Sequence, residues 1–427
     1  MSEATNTSSP SLRRELGKWD LTAIGVNQVI GGAVFLVPAA LALRLGSWSW
    51  VAVGLVGLLS MAVALNFAEA GSRFDNTGGP YLYSRAALGR FVGFEVGWMA
   101  WFTRVTSWAS VLNGLADALG YYWPGIRVGA PRMMLMSFVV VAIMGLNIRG
   151  IKQSSIAVNI LTIAKLTPLA IFILVGLPQI SFAAVQLGAF PSFEQLSASA
   201  LPLIFAFGGY EVVPVPAGEA RDPRRAVPFA MIATIFIVAI VMTVAQVVAL
   251  GTLPGLAKAT TPLADASLIL MGAWGALMMT VGTSISMAGN NVGAALSGSR
   301  SLFALAEQQD VPKAFSHIHP KYRTPDVAIV FTCLSTLVLA ISGTFASLAA
   351  VSAVARLLIY SGTCVSVLVL RRSGRAPFTI PGGPIVSALA LIVCVAILVF
   401  ASSAQLQAGG WALAAGAVLF LIARFGR

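Results

Sequence analysis

Four ionisable residues, Arg104, Lys165, Glu211 and Arg356, stand inside apolar runs of this chain. A charge at the centre of a bilayer costs on the order of 3 kcal/mol, so such residues face a protein interior and carry a task. Glu211 follows a pair of glycines, Gly208-Gly209, with Pro214 and Pro216 just beyond; a second pair, Gly31-Gly32 with Pro38 beyond, interrupts the first apolar run. Glycine and proline both weaken a helix interior, so each pair predicts a helix broken part-way along its length. A break exposes N–H groups at one new end and C=O groups at the other. The first suits a carboxylate and the second an ammonium, which is recognition chemistry rather than bond making. Paired glycines also serve close helix packing with no ligand involved. Two breaks at matching places in two halves of a chain favour the binding reading.

The elements that must position these residues are helices. The chain has 427 residues, 58% hydrophobic and only 10% charged, with a mean hydropathy of +0.87. No soluble domain covers its surface with so little charge. Apolar segments fall at 20–44, 47–72, 90–120, 132–150, 154–178, 198–218, 226–252, 264–298, 325–343, 346–370, 384–403 and 409–425. Runs of about 20 residues suffice to cross the hydrocarbon core, and they do not alternate as barrel strands do. The expectation is therefore an all-α integral membrane protein of twelve transmembrane helices. The runs at 90–120 and 264–298 are each read as one tilted helix with extensions.

Lysine and arginine set the orientation. With the N-terminus inside, twenty basic residues fall on the cytoplasmic side and four, Arg44, Arg127, Arg132 and Lys258, outside. The net charge of +12 is then a topology signal rather than a nucleic-acid footprint. Both termini are expected in the cytoplasm, and no cleaved leader is expected. Cys333, Cys364 and Cys394 are isolated in apolar runs, and His317 and His319 share one polar loop. No metal site, cofactor or catalytic constellation is expected from these, so the chain reads as no enzyme. Because helices one and six are five apart, repeats of five spans would be inverted relative to each other. The division expected is a cytoplasmic tail at 1–19, a first five-helix repeat at 20–178, a second at 198–370, and two further helices at 384–425.

The residues around these breaks resemble the amino acid–polyamine–organocation superfamily. Val29-Ile30-Gly31-Gly32-Ala33-Val34-Phe35 is similar to that family's Gly-Ser-Gly-Ile/Val-Phe element, with Ala33 in place of the usual second glycine. The loop Gly78-Gly79-Pro80-Tyr81-Leu82-Tyr83 is similar to its Gly-Gly-x-Tyr-x-Tyr stretch. Phe205-Ala206-Phe207-Gly208-Gly209-Tyr210-Glu211 with the exit Gly218-Glu219-Ala220-Arg221-Asp222-Pro223, and Gly298-Ser299-Arg300-Ser301-Leu302-Phe303, are further family-like elements. The resemblance implies a leucine-transporter-like 5+5 inverted repeat with discontinuous helices one and six. It implies secondary transport of amino acids, with polyamines or other amines as the alternative, exchange as another, and a non-transporting sensor as a rival of a different class. The partners implied are a small-molecule substrate, protons and the lipid bilayer; the oligomeric state is not legible.

Carried onto this chain, the resemblance places substrate at Ile30, Gly31, Gly32, Ala33, Phe205, Ala206, Gly208 and Gly209, with Arg104 nearby. Arg104 reads either as a ligand for a substrate carboxylate or as a partner of Glu95, Asp117 or Glu211; Arg356 reads as paired. Lys165 falls where sodium-driven relatives of the fold hold a sodium ion. Its ammonium could bond carbonyls of helix one and a polar group of helix eight, Ser286 or Asn290. It then either exchanges a proton during transport or caps helix ends as a fixed charge. Glu211 is either a gate or a cap for the second half of the broken helix, and Phe205 either covers substrate or packs. Glu219, Arg221, Asp222, Arg224 and Arg225, with Arg14 and Asp20, form either an inner-gate cluster or solvated loop charge.

Overall fold

The structure, a computed structural model, describes residues 12–399 and 401–425. Those residues form fifteen α-helices linked by short 3-10 turns, and no strand among them exceeds an isolated bridge. In chain order the helices are α1 (Lys18–Val29), α2 (Ala33–Leu45), α3 (Ser49–Gly71), α4 (Pro80–Leu88), α5 (Arg90–Tyr122), α6 (Gly129–Arg149) and α7 (Ile151–Gly176). They continue with α8 (Phe182–Val185), α9 (Phe193–Phe207), α10 (Pro223–Thr252), α11 (Pro262–Glu307), α12 (Asp326–Ser342), α13 (Phe345–Leu370), α14 (Pro384–Val399) and α15 (Ser403–Phe425).

Local chemistry explains the ends. Gly17 N–H donates to Asp20 Oδ2 at 2.8 Å, which fixes the start of α1 and places a negative charge in its first turn. Ser192 and Gln195 form a reciprocal capping box at α9, and Thr344 with Ser347 does the same at α13. Gly89, at φ +87°, turns the chain between α4 and α5.

Eight helical stretches among the described residues are long and apolar enough to cross a membrane. Several of the other helices are too short for that count. α1 has 12 residues, and α12 and α14 have 17 and 16. Along its middle α5 carries Arg104, Thr106, Ser107, Ser110 and Asn113. Large apolar side chains point outward from mid-helix, among them Leu58 (69% exposed), Phe138 (72%) and Ile163 (68%). Such a surface suits a lipid surround, in keeping with helices long and apolar enough to cross a membrane. The polar groups lie inside: α3 packs along α10, α5 against α11 and α13, and α7 against α11, enclosing the charged residues.

Several expectations need correction. The Gly78–Tyr83 stretch is not all loop, since Pro80 opens α4. The sixth apolar segment begins earlier than 198, because the Ser192 cap starts α9 at Phe193. The eighth extends to Glu307 and bends at Gly272, whose φ of 68° and ψ of −162° are non-helical. The tail expected at 1–19 lies outside the described residues as far as residue 11. Beyond that it is docked: α1 already begins at Lys18, and Leu16 is buried in a parallel bridge with Ala220.

Candidate functional site

The first break lies between α1 and α2, where Ile30, Gly31 and Gly32 leave the helix. The carbonyls released at the end of α1 are gathered by donors from α7 and α11. Lys165, fully buried on α7, donates from Nζ to the carbonyls of Asn27 (3.0 Å), Ile30 (2.6 Å) and Ser286 (3.2 Å). The Ser286 hydroxyl shares its hydrogen between the carbonyls of Ile30 (3.0 Å) and Gly31 (2.9 Å). Asn290 Nδ2 reaches the carbonyls of Gln28 (2.8 Å) and Asn27 (3.4 Å). In return Asn27 Nδ2 donates to Gly289 O at 2.7 Å and Gln28 Nε2 to Asn290 O at 2.8 Å. A charged donor against two C=O dipoles at the C-terminus of α1 has the favourable sign for the helix dipole. The group of Ser286 that meets Lys165 is its backbone carbonyl; the hydroxyl serves the break itself. The α-carbon of Gly31 faces the Asn290 amide and that of Gly32 faces the Met287 methyl, so α11 fills the space beside this break.

The second break follows Phe207. Gly208 has an ordinary extended conformation (φ −70°, ψ 145°), whereas Gly209 turns the chain at φ +134°. The two glycines are required for different reasons. A Cβ on Gly208 would lie 2.2 Å from Arg356 Nη1, inside the guanidinium. A Cβ on Gly209 would lie 2.6 Å from the Gln28 carbonyl oxygen, so the two breaks touch back to back. Glu211, buried in the 3-10 turn Tyr210–Val212, then collects four donors. Its Oε1 accepts from Arg104 Nη2 of α5 and from Arg356 Nε of α13, the latter at 2.8 Å. Its Oε2 accepts from the Gly209 N–H (2.8 Å) and the Tyr360 hydroxyl (2.9 Å). Glu211 is therefore both a cap for its own break and the counter-ion of two arginines. Of the three partners considered for Arg104, Glu211 is the one it meets.

The remaining expected residues fall around these two networks. Ile30 is fully buried. Ala33 and Ala206 line one small recess with Val34, Leu203 and Gln246, whose volume of about 10 Å³ is at the lower limit for holding one water. Phe205 lies with its ring 5.8 Å from the Arg356 guanidinium carbon, within cation–π range. The site residues are thus brought together, and protein side chains pack against both breaks. A larger cleft of about 490 Å³, lined in part by Asn113, Asp117, Arg132 and Thr344, shares no residue with the breaks.

The loop charges also differ from expectation. Glu219 is neither solvated nor clustered with Arg221; it is fully buried in a two-bonded pair with Arg300 at 3.0 and 3.1 Å. Arg224 pairs with Asp75, and Arg225 lies 4.0 Å from Asp222. Asp20 accepts from Ser155 and Asn159 rather than from a basic partner. The backbone of Leu16 is stitched to Glu219 and Arg221. Sequence reasoning missed Asn27, Gln28 and Tyr360. The pair Asn27-Gln28, amides in an apolar run just before a glycine pair, was a usable signal. Tyr360, one turn beyond Arg356 on α13, gave none.

Long apolar helices around a buried charged seam, with two of them broken where the charges gather, define a multi-pass membrane protein built for small-solute transport rather than catalysis. The sequence matches the amino acid permease family over residues 16–422, so the chain belongs to that family. It is 26% identical over 418 residues to the branched-chain amino acid permease BcaP of Bacillus subtilis, covering 92% of this chain and 90% of that one. It is 27% identical over 416 residues to the serine/threonine exchanger SteT of the same organism, covering 90% of each. The glutamate/serine transporter AimA of Bacillus subtilis is 24% identical over 452 residues, covering 96% of this chain and 80% of that one.

Proposed function

We propose that this chain is a secondary active transporter that moves amino acids across the cytoplasmic membrane by alternating access, coupled to protons and independent of sodium. Its architecture on this reading is twelve spans in a 5+5 inverted repeat with two further helices, both termini cytoplasmic. α1 with α2 forms one discontinuous span, and α9 with the turns to Glu219 forms its counterpart. Substrate binds between the breaks: the α-carboxylate at the N–H groups of Gly31, Gly32 and Ala33, and the α-ammonium at carbonyls freed near Gly208. The packing of Arg356, Asn290 and Met287 against the glycines means that these side chains yield as substrate enters.

The observation that carries the reading is the Lys165 ammonium held by three backbone carbonyls, two at the α1 break and one on α11. A fixed cation there does the structural work of a bound metal ion, which supports sodium independence. Loss of its proton would leave two N–H donors for three carbonyls and take the charge out of every remaining bond, loosening α1 from α7 and α11, which supports proton coupling. The interior charge argues against the polyamine alternative. Arg104, Lys165 and Arg356 outnumber Glu211 near the breaks, and a polycation would add to that excess.

The test is uptake and counterflow of radiolabelled amino acids and polyamines in proteoliposomes, without sodium, with and without an inward proton gradient. Gradient-stimulated amino acid uptake that Lys165→Ala abolishes supports the reading. Full proton-driven uptake in folded Lys165→Ala sinks the coupling role. Substrate binding with no counterflow of any substrate would make the chain a sensor instead.

A further inference from the structure

The cluster at the α9 break is not electrically balanced. Arg104 and Arg356 each pair with Glu211, and neither has another carboxylate partner among the described residues. Two guanidiniums share one carboxylate, which leaves one net positive charge in a place where Arg356 is 1% exposed and Arg104 3%. Burying an uncompensated charge is costly, and the interior favours any anion that reaches it. The imbalance has an address. Arg356 spends Nε on Glu211, while its Nη1 is buried with no hydrogen-bond partner among the described residues. That nitrogen lies against the α-carbon of Gly208, and its guanidinium carbon is 5.8 Å from the Phe205 ring. The unused donor therefore sits at the wall of the second break, between the glycine that makes room for it and an aromatic ring. Arg104, by contrast, spends Nη1 on Gln28 Oε1 (3.3 Å) and Nη2 on Glu211.

We infer that this transporter selects amino acids with an acidic side chain, whose second carboxylate binds Arg356 Nη1 beside Gly208 and neutralises the Arg104–Glu211–Arg356 cluster. The inference rests on the amino acid transport reading above and adds the substrate class. A neutral amino acid brings as much positive as negative charge and leaves the cluster as it is. An acidic one brings one extra negative charge, equal to the excess. A guanidinium recognises a carboxylate through parallel N–H donors, which an amide cannot satisfy equally. Cationic substrates are repelled by the same charge.

The test is counterflow in proteoliposomes loaded with a mixture of amino acids, with labelled glutamate and aspartate compared against glutamine, asparagine, leucine and serine. Wild type is expected to prefer the dicarboxylic members over their amides by on the order of a hundredfold, the scale of a buried charge pair. Arg356→Gln is expected to erase that preference, so that the counterflow left in the folded variant no longer favours glutamate and aspartate over glutamine and asparagine. Should Arg356→Gln not fold, Arg356→Lys serves: it keeps the charge and is expected to keep the sign of the preference with weaker apparent affinity. Efficient counterflow of neutral amino acids by wild type with glutamate and aspartate excluded overturns the inference and leaves the transport reading intact. An undiminished acidic preference in Arg356→Gln overturns the role given to Arg356. No counterflow of any amino acid defeats both readings together.

Discussion

Replacing Glu211 with glutamine tests the centre of the site. The carboxylate accepts from Arg104, Arg356, Gly209 and Tyr360. An amide of the same size keeps one acceptor oxygen and turns the other into a donor, which opposes the Gly209 N–H. The cluster also passes from one excess positive charge to two. Removing one partner of a buried ion pair costs about 3–5 kcal/mol. At about 2 °C per kcal/mol for a long chain, the melting temperature in detergent is expected to fall by roughly 6–10 °C. Glu211→Gln with Arg356→Gln returns the excess to one, so the double variant should be more stable than the sum of the singles by about 1–3 kcal/mol. Thermal unfolding of the four proteins of this cycle measures both quantities. Exchange rate per folded molecule then separates an anchor from a gate, because only a gate slows transport of folded Glu211→Gln. A melting temperature within about 1 °C of wild type, with no coupling to Arg356, would refute the pairing on which this reasoning stands.

Other outcomes follow from the same geometry. Gly209→Ala forces an L side chain into φ +134° and into the Gln28 carbonyl, so a loss of about 2–4 kcal/mol and a sharp drop in folded yield are expected by unfolding assays. Gly208→Ala has no backbone penalty but drives its methyl into the Arg356 guanidinium; it is expected to mimic Arg356→Gln in substrate preference during counterflow. Glu219→Gln leaves Arg300 fully buried without its counter-ion, which should lower stability by about 3–5 kcal/mol in the same thermal assay and free the Leu16 segment to proteolysis.

Much of the fold was legible because lipid imposes simple rules. Runs of apolar residues became helices, and glycine pairs became breaks where the pattern placed them. The segment ends were less legible for a physical reason. α9 begins at Phe193 because Ser192 caps it, and α11 runs to Glu307 as a buried helix of small and hydroxyl residues that hydropathy scores poorly. Charges were visible one by one, but their pairing was not. Glu211 meets Arg104 and Arg356 across 107 and 145 positions of chain, a distance that periodicity does not encode. Glu219 was open between a gate cluster and solvated loop charge for the same reason, since nothing local in sequence announces that its turn will be buried against α11 in a pair with Arg300. Lys165 was the most readable, because the family resemblance set its ammonium against the carbonyls of helix one, and two of its three acceptors are there.

Gln28 links what are otherwise two separate networks. α1, α7 and α11 are tied together through Asn27, Lys165, Ser286 and Asn290, all of it around the first break. α5, α13 and the second break are tied together through Glu211. The Gln28 side chain donates to Asn290 O on one side and accepts from Arg104 Nη1 on the other, and its own carbonyl is what Gly209 packs against. If the two breaks move relative to each other during transport, this is where the strain passes. Gln28→Leu keeps the volume and removes both bonds, one of them to a charged group, for a loss of about 2–4 kcal/mol. Most of that loss should disappear when Arg104 is already neutral, because the charge-assisted bond is then gone. A cycle of Gln28→Leu with Arg104→Met, read by thermal unfolding and by exchange rate, is expected to show coupling in both. Coupling in stability without any in exchange rate would make Gln28 a static tie. Strict additivity in both would mean that the two networks do not communicate through it.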